Sequence, residues 1–511
     1  MLDRFFKQRR CASRLRRTAL LRQFQRLTVP EDTAYTCGVE QNVALAAIIG
    51  AVAVAAIVAS IPAFVPPHVV PPVRAVKGVP LIVGFLRNPL EIVPQEAYEQ
   101  DYVAFNGLGP RFAWVTGPDL IKTVLLDASD KFSKSVQIEF FGPLLGQGLL
   151  TSEGADWKWQ RQVTAPMFRR QDLLSFVPVF ASAASRLLDR WRRSPAGTPQ
   201  QIEADMTEIT FDIICATLLP SSDATVGLAL EASADRLQRS AMWRQLYVAA
   251  RLPKWVPQPG ARRIRTAVRA LRASVAAMLT ERRRALSQRD DLIRRLMAAH
   301  DPVTGAAMND EQLIDNLLTF YLAGHETTSK ALTWTLYLLA CSPQWTEALT
   351  EEIAKVTGGK PVSSDHIDKL VLTQQVIKES MRLYPPVPTT SRQAIGDVRL
   401  GEHLIKAGTS IAIPIYAMHR HQKRWHHPNA FDPTRFSPAN EGEISRYQYM
   451  PFGAGPRICI GMAFAMIEIT TILATILQQA RLALANDHAP LPVARITLHP
   501  KGGMPLRIWV E

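Results

Sequence analysis

The sequence predicts a mainly α-helical protein with a small β-rich lobe. Apolar residues recur at helical spacing through most of residues 155–385, most clearly over 313–339. Short strand-like runs, such as Phe112-Ala113-Trp114-Val115, fall in the mixed region 85–130. Proline and glycine become frequent again after residue 385, with further strand-like pieces at 398–415. The chain has 511 residues and is 47% hydrophobic, enough for a large core. Length alone would suggest about two to four domains.

Residues 1–42 form a basic leader. Its first 26 residues carry nine Lys or Arg and one acid, so most of the net charge of +14 sits there. The rest of the chain is only weakly basic. It has neither zinc-finger spacing nor a basic-aromatic RNA motif, so no nucleic-acid partner is expected. Residues 43–65 are a candidate transmembrane anchor. The stretch 43–61 has no charge, and its nineteen residues are just enough to span a bilayer as a helix. Eight of them are alanine, so the hydrophobic drive is modest, and a buried or surface-lying helix is the alternative. Residues 66–84 form a proline-rich hinge, in which Pro66, Pro67, Pro71 and Pro72 stop any helix. Near the apolar run, Arg26 stands against Glu31, Asp32 and Glu40 on one side, and Arg74 and Lys77 lie on the other. That count favours a membrane-associated protein with its large C-terminal domain, residues 85–511, in the cytosol. The leader also fits a targeting segment. Five scattered cysteines (11, 37, 215, 341 and 459) build neither a disulfide framework nor a structural zinc site.

The chemistry concentrates at Phe452-Gly453-Ala454-Gly455-Pro456-Arg457-Ile458-Cys459-Ile460-Gly461. Its glycines let the backbone turn tightly and approach something bulky. A cysteine just before a helix sits near the positive end of the helix dipole, which favours thiolate. Earlier in the chain, a long helical stretch carries Ala323-Gly324-His325-Glu326-Thr327-Thr328. Glycine inside a helix costs about 1 kcal/mol relative to alanine, so it implies close approach or distortion. Glu379-Ser380-Met381-Arg382 places a carboxylate and a guanidinium on one helical face, ahead of Tyr384-Pro385-Pro386. Trp157 and Arg161 lie one helical turn apart.

Taken together, these four motifs resemble the cytochrome P450 family in order and separation, over residues 71–505. The cysteine loop matches F-G-x-G-x-R-x-C-x-G at every fixed position. The resemblance implies one large catalytic domain with the P450 fold, binding haem b (iron protoporphyrin IX). Cys459 would be the metal ligand, a thiolate pushing electron density towards dioxygen. Ala323 and Gly324 would leave room above the iron, while Thr327 and Glu326, the catalytic pair, would deliver protons to dioxygen. Trp157, Arg161, Arg392, Arg457 and Phe452 would bind the cofactor, with the basic and indole groups facing its propionates. Glu379, Arg382 and Arg435 would form a structural network, and His419 would belong to the element before it. A substrate pocket is expected from 136–150 (Val136, Ile138, Phe140, Phe141, Leu144, Leu145), Phe320, 387–390 and 502–504.

No fused reductase fits in this length and no Gly-rich dinucleotide loop occurs, so a separate electron donor, a ferredoxin or a flavoprotein reductase, is implied. Lys423, Arg424 and Arg457 are candidates to steer an acidic donor. The expected reaction is insertion of one oxygen atom from O2 into a hydrophobic, fatty-acid-like molecule. An isomerase or dehydratase on the same fold, or a non-enzymatic haem protein, are the alternatives. The Glu326-Thr327 pair argues against both.

Overall fold

The computed structural model describes residues 84–511 apart from 86, 106–110, 219–246, 248–260, 285–291, 302–303 and 486–488. The leader, the candidate anchor and all but the last residue of the hinge lie outside the described residues. Nine helices of eleven or more residues carry the fold among them: α1 (Ser135–Leu145), α2 (Gly154–Thr164), α3 (Val177–Arg192), α4 (Ile202–Leu218), α5 (Ala261–Arg284), α6 (Asp310–Ala340), α7 (Pro343–Thr357), α8 (Val371–Leu383) and α9 (Met462–Leu477). At 1.5 Å per residue α6 runs roughly 46 Å. It is buried on nearly every face from Leu313 to Leu339, as expected of a helix with no polar side to offer water. A capping box fixes its start: Gln312 N donates to Asn309 Oδ1 at 2.9 Å and Asn309 N to Gln312 Oε1 at 3.0 Å. Helices α4, α8 and α9 pack against it.

The β lobe is a five-stranded sheet in the order β1-β2-β8-β5-β3, built from Tyr102–Phe105, Phe112–Val115, Ser410–Ile413, Thr390–Ala394 and Phe132–Ser133. Only β2 and β8 run parallel, with Phe112 opposite Ser410. A hairpin of β6 (Val398–Leu400) and β7 (His403–Ile405) hangs from it. A second, smaller sheet pairs β4 (Pro199–Gln201), β12 (Pro505–Val510) and β9 (Ala480–Leu484), and β10 (Pro492–Ala494) pairs with β11 (Leu498–Pro500). The helical periodicity over 313–339 and the strand at 112–115 are therefore found where the sequence put them. Trp334 Nε1 donates to Leu498 O at 2.9 Å, and Asn88 clasps Pro492 O and Ala494 N. These bonds hold the β10–β11 hairpin beside α6.

A charge network locks the segment that leads to the cysteine loop. Arg382 and Glu379 are both fully buried on α8 and pair bidentately, with Nε and Nη2 each 2.7 Å from a carboxylate oxygen. The remaining Arg382 donors reach the carbonyls of His419, Pro428 and Ala430 at 2.7–2.9 Å. Glu379 Oε1 accepts from Asp432 N at 2.9 Å and faces Arg435 Nε at 3.5 Å. His419 extends the network: its Nδ1 donates to Arg382 O at 3.2 Å and its Nε2 accepts from Met450 N at 3.0 Å. Burial, with the charges of Arg382 and Arg420, lowers its pKa to about 3, so the ring is neutral and able to accept there. His419 thus bridges the ion pair to the backbone two residues before Phe452.

Removing one partner of a buried ionic set costs about 3–5 kcal/mol. Glu379→Ala is expected to yield protein with little or no bound haem, measured as haem absorbance per mole of soluble protein. Soluble, fully loaded variant would contradict the role of the network.

Candidate active site

Positive φ at Gly453 (73°) and Gly455 (72°) shapes the cysteine loop. A Cβ on Gly455 would collide with the Leu125 carbonyl, so only glycine lets the loop lie against that segment. Ile458 N closes a turn onto Gly455 O at 3.1 Å, and Cys459 N donates to Phe452 O at 2.9 Å. Helix α9 begins at Met462 with Gly461 as its N-cap, three residues after the cysteine. Cys459 is exposed only in the sense that it opens onto an internal cavity. Burial pushes its thiol up, while the Gly461 N–H and the charge of Arg161 pull it down. Burial thus opposes the pull that the sequence expects from the helix terminus on this thiol.

The cavity measures about 1110 Å³ and lies between this loop and α6. Phe452, Arg457, Cys459 and Ile460 line one side, and Phe320, Ala323, Gly324, Glu326 and Thr327 line the other. Most of the remaining wall is apolar, including Val136, Phe140, Phe141, Leu144, Leu145 and Val387. Two pocket expectations fail. Ile138 does not line the cavity, and the C-terminal segment that reaches it is 494–497 rather than 502–504. The positive φ of Gly502 (88°) and Gly503 (83°) turns the chain into β12, with Gly503 against Gln201, so this stretch serves the second sheet. The hairpin turn between β10 and β11 enters the cavity instead.

On α6 the reason for Gly324 is close helix packing: a Cβ there would lie 2.6 Å from Ile214 Cδ1 of α4. The missing side chain thus admits a neighbouring helix, and Ala323 and Gly324 both line the cavity. The Thr327 hydroxyl donates to Ala323 O at 2.7 Å. Glu326 is buried, with its Oε1 accepting from Thr497 Oγ1 at 2.5 Å and facing His499 Nε2 at 3.1 Å. Burial raises its pKa, but those hydrogen bonds and the charges of His499 and Lys330 outweigh it and hold the acid near 2.

Four cations gather at one end of the site. Arg392 and Arg457 are lowered to about 10, first by burial, and Lys134 to about 7 by burial and by those two arginines. Arg161, also lowered by burial, is raised by Cys459. Arg457 stacks on Trp157, with Cζ 3.9 Å from the ring, and donates to Ser152 O at 2.9 Å. None of the four has a carboxylate partner within ion-pair distance among the described residues. A half-buried cluster of this kind needs anions to offset its desolvation. Two carboxylates on a flat apolar group would answer that need and Cys459 would be free to hold its metal, so the residues present fit a haem. Trp157 packs against Arg457, and neither it nor Arg161 is among the residues lining the cavity. Lys134 escaped the sequence reading because a single lysine between strand and helix carries no pattern. Arg457 is turned inward, which removes it from the surface proposed to steer an electron donor, and Arg424 is paired with Asp101.

A family model described as cytochrome P450 matches residues 98–506. A cytokinin hydroxylase of Arabidopsis thaliana is 32% identical over 80% of this chain and 80% of its own. Pentalenene oxygenase of Streptomyces avermitilis is 31% identical over 81% and 92%. The crystal structure of the cytochrome P450DA haem domain superposes with a TM-score of 0.71 at 25% identity, covering 80% of this chain and 90% of that one. The chain belongs to the cytochrome P450 family and is a haem-thiolate monooxygenase. Membership brings with it haem iron, dioxygen, a redox partner and hydrophobic substrates.

Proposed function

We propose that the protein inserts one oxygen atom from O2 into a lipophilic molecule, with haem b as its bound group and a ferredoxin or flavoprotein reductase as electron donor. The observation that carries this reading is that Cys459 and the Glu326-Thr327 pair line one apolar cavity from opposite sides. Haem, when bound, supplies the iron at which dioxygen is activated and its O–O bond split. Cys459 would ligate that iron as thiolate. Arg392, Arg457 and Lys134 would neutralise the propionates, with Trp157 bracing Arg457, Arg161 adding positive charge near the sulfur, and Phe452 walling the ring. The Thr327 hydroxyl, turned from the Ala323 carbonyl, would hold a proton towards the cavity, and Glu326 would replenish it. The apolar lining keeps bulk water from competing for those protons.

The sequence favours a fatty-acid-like substrate, whereas relatives are named for cytokinin, pentalenene and 11-oxo-beta-amyrin. A panel of long-chain fatty acids, a cytokinin, pentalenene and beta-amyrin, followed by the low-to-high-spin change of the haem spectrum, separates these classes. The membrane part of the proposal rests on residues 43–65. Among the described residues no helix is long and apolar enough to cross a membrane. Full-length protein is expected to resist carbonate extraction from membranes, and residues 66–511 to be released; full-length protein found wholly in the supernatant would remove the anchor.

Cys459→His is expected to abolish the thiolate-type carbon-monoxide spectrum of the reduced protein, and its persistence would refute the ligand assignment. Thr327→Ala should leave substrate binding nearly unchanged while diverting electrons to hydrogen peroxide. The quantity to measure is product per reducing equivalent. Wild-type coupling in both Thr327→Ala and Glu326→Gln would remove the pair from the mechanism.

A further inference from the structure

Glu326 is cut off from bulk water: its side chain is only 7% exposed. What it touches on the side away from the cavity is a chain of protonatable groups drawn from three separate elements. His499 on β11 places Nε2 3.1 Å from Glu326 Oε1 and Nδ1 2.8 Å from Glu203 Oε1 on α4. The Glu203 side chain is 19% exposed, against 11% for His499. Lys330 Nζ of α6 binds the same Glu203 oxygen at 2.8 Å, and Thr497 Oγ1 sits 3.0 Å from Nε2. The charged groups facing the ring are therefore Glu326 from α6 and Glu203 from α4, with Lys330 behind the latter.

A neutral imidazole has one donor and one acceptor nitrogen. Set between two carboxylate oxygens, a neutral ring points a lone pair at one of them. Only the doubly protonated ring satisfies both contacts. The arrangement thus has a place for one proton directly behind Glu326, at hydrogen-bonding distance, with its other end at the molecular edge.

We propose that His499 is the proton-supplying residue behind Glu326, with Glu203 holding the ring in its charged form. The inference rests on the reading of Glu326 given above and extends it outward. In the step, the Nε2–H bond of the imidazolium breaks as an O–H bond forms at Glu326 Oε1. The ring is left neutral with its Nδ1–H on Glu203; a flip of the ring then turns the bare nitrogen to the edge, where it takes a proton from solvent hydronium and leaves water. No electrons move. His499 touches neither substrate nor cofactor, so it is a positioning residue that acts through Glu326. Thr497, donating to the same carboxylate oxygen, keeps Glu326 aimed at the ring.

The test uses full-length holoenzyme with its electron donor and the tightest-binding compound of the spin-shift panel. His499→Gln retains donor and acceptor groups but carries no transferable proton. Turnover is expected to fall at least tenfold, the low end for loss of a general acid being about 100-fold when no bypass exists. The dissociation constant for the compound stays the same, product per electron falls, and the solvent isotope effect on kcat rises. A second readout needs no turnover. In the ferric protein the protonated-carboxyl infrared band, assigned by its loss in Glu326→Gln, should appear at higher pH in His499→Gln, because the cation that kept the carboxylate ionised is gone. A purely structural role predicts rescue by glutamine, so wild-type turnover and coupling, or an unmoved band, in His499→Gln overturns the proposal. Glu203→Gln, at the partly exposed end, covers the case in which His499→Gln fails to fold. Removing that negative charge disfavours the protonated ring, so the alkaline limb of the pH–rate profile moves to lower pH, and an unmoved limb overturns the proposal. Glu326→Gln tells the two readings apart. If it leaves coupling intact, the role of Glu326 fails and the relay fails with it. If it uncouples while His499→Gln does not, only the relay fails.

Discussion

A fully buried guanidinium holds the functional half of this molecule together. Arg382 spends every donor it has: two on Glu379 and the rest on the carbonyls of three residues, His419, Pro428 and Ala430, some forty positions further along the chain. Those carbonyls belong to irregular segments without strand or helix partners of their own. Burying them without donors would cost roughly 1–3 kcal/mol apiece. The ion pair is thus less a source of net stability than a template for backbone that has no regular structure. Through His419 and the amide of Met450, that template reaches the loop presenting Cys459.

The opposite wall obeys a different constraint. Helix α6 is held by apolar burial along its whole length, and polar chemistry is confined to the point where α4 comes closest. There Gly324 admits Ile214, and Thr210 of α4 donates to the His325 carbonyl at 3.0 Å. Close packing and an extra hydrogen bond at one turn fix the rotation of α6. The same turn therefore presents Ala323 and Thr327 to the cavity and Glu326 to the β10–β11 hairpin. A sulfur set by ionic clamping on one side and a hydroxyl set by helix packing on the other hold their separation without a direct contact between them.

How much of this could be read from the sequence follows from how local each constraint is. The cysteine loop was legible because its geometry is written in consecutive residues: two glycines at positive φ, a turn and a helix start. The Glu379-Arg382 pair was legible for the same reason, being three apart on one helix. Lys134, Thr497 and His499 were not. Each is a single polar residue in or beside a short strand, and its meaning comes from elements between sixteen and about three hundred positions away in the chain. The pocket expectation at 502–504 failed because a Gly-Gly turn looks the same whether it faces a cavity or feeds a strand. The hairpin at 492–500, tied back to Asn88 and Trp334, decided the matter through contacts that no local pattern encodes.

The distribution of buried charge then makes physical sense as two separate problems. At the cofactor end, cations outnumber anions: Glu153 is the carboxylate that acts on Lys134, Arg392 and Arg457, and Cys459 the group that acts on Arg161, so their positive field is usable by a dianionic ligand. Where α4 and β11 meet the middle of α6, Glu203, Glu326, Lys330 and His499 balance one another, so the group nearest the reaction is already compensated. Had both ends been compensated, the site would have no affinity for propionates. Had neither been, Glu326 would be neutral from burial alone and unable to accept a proton from behind. Because the apolar cavity separates the two clusters, one set of charges can be tuned for holding and the other for proton transfer.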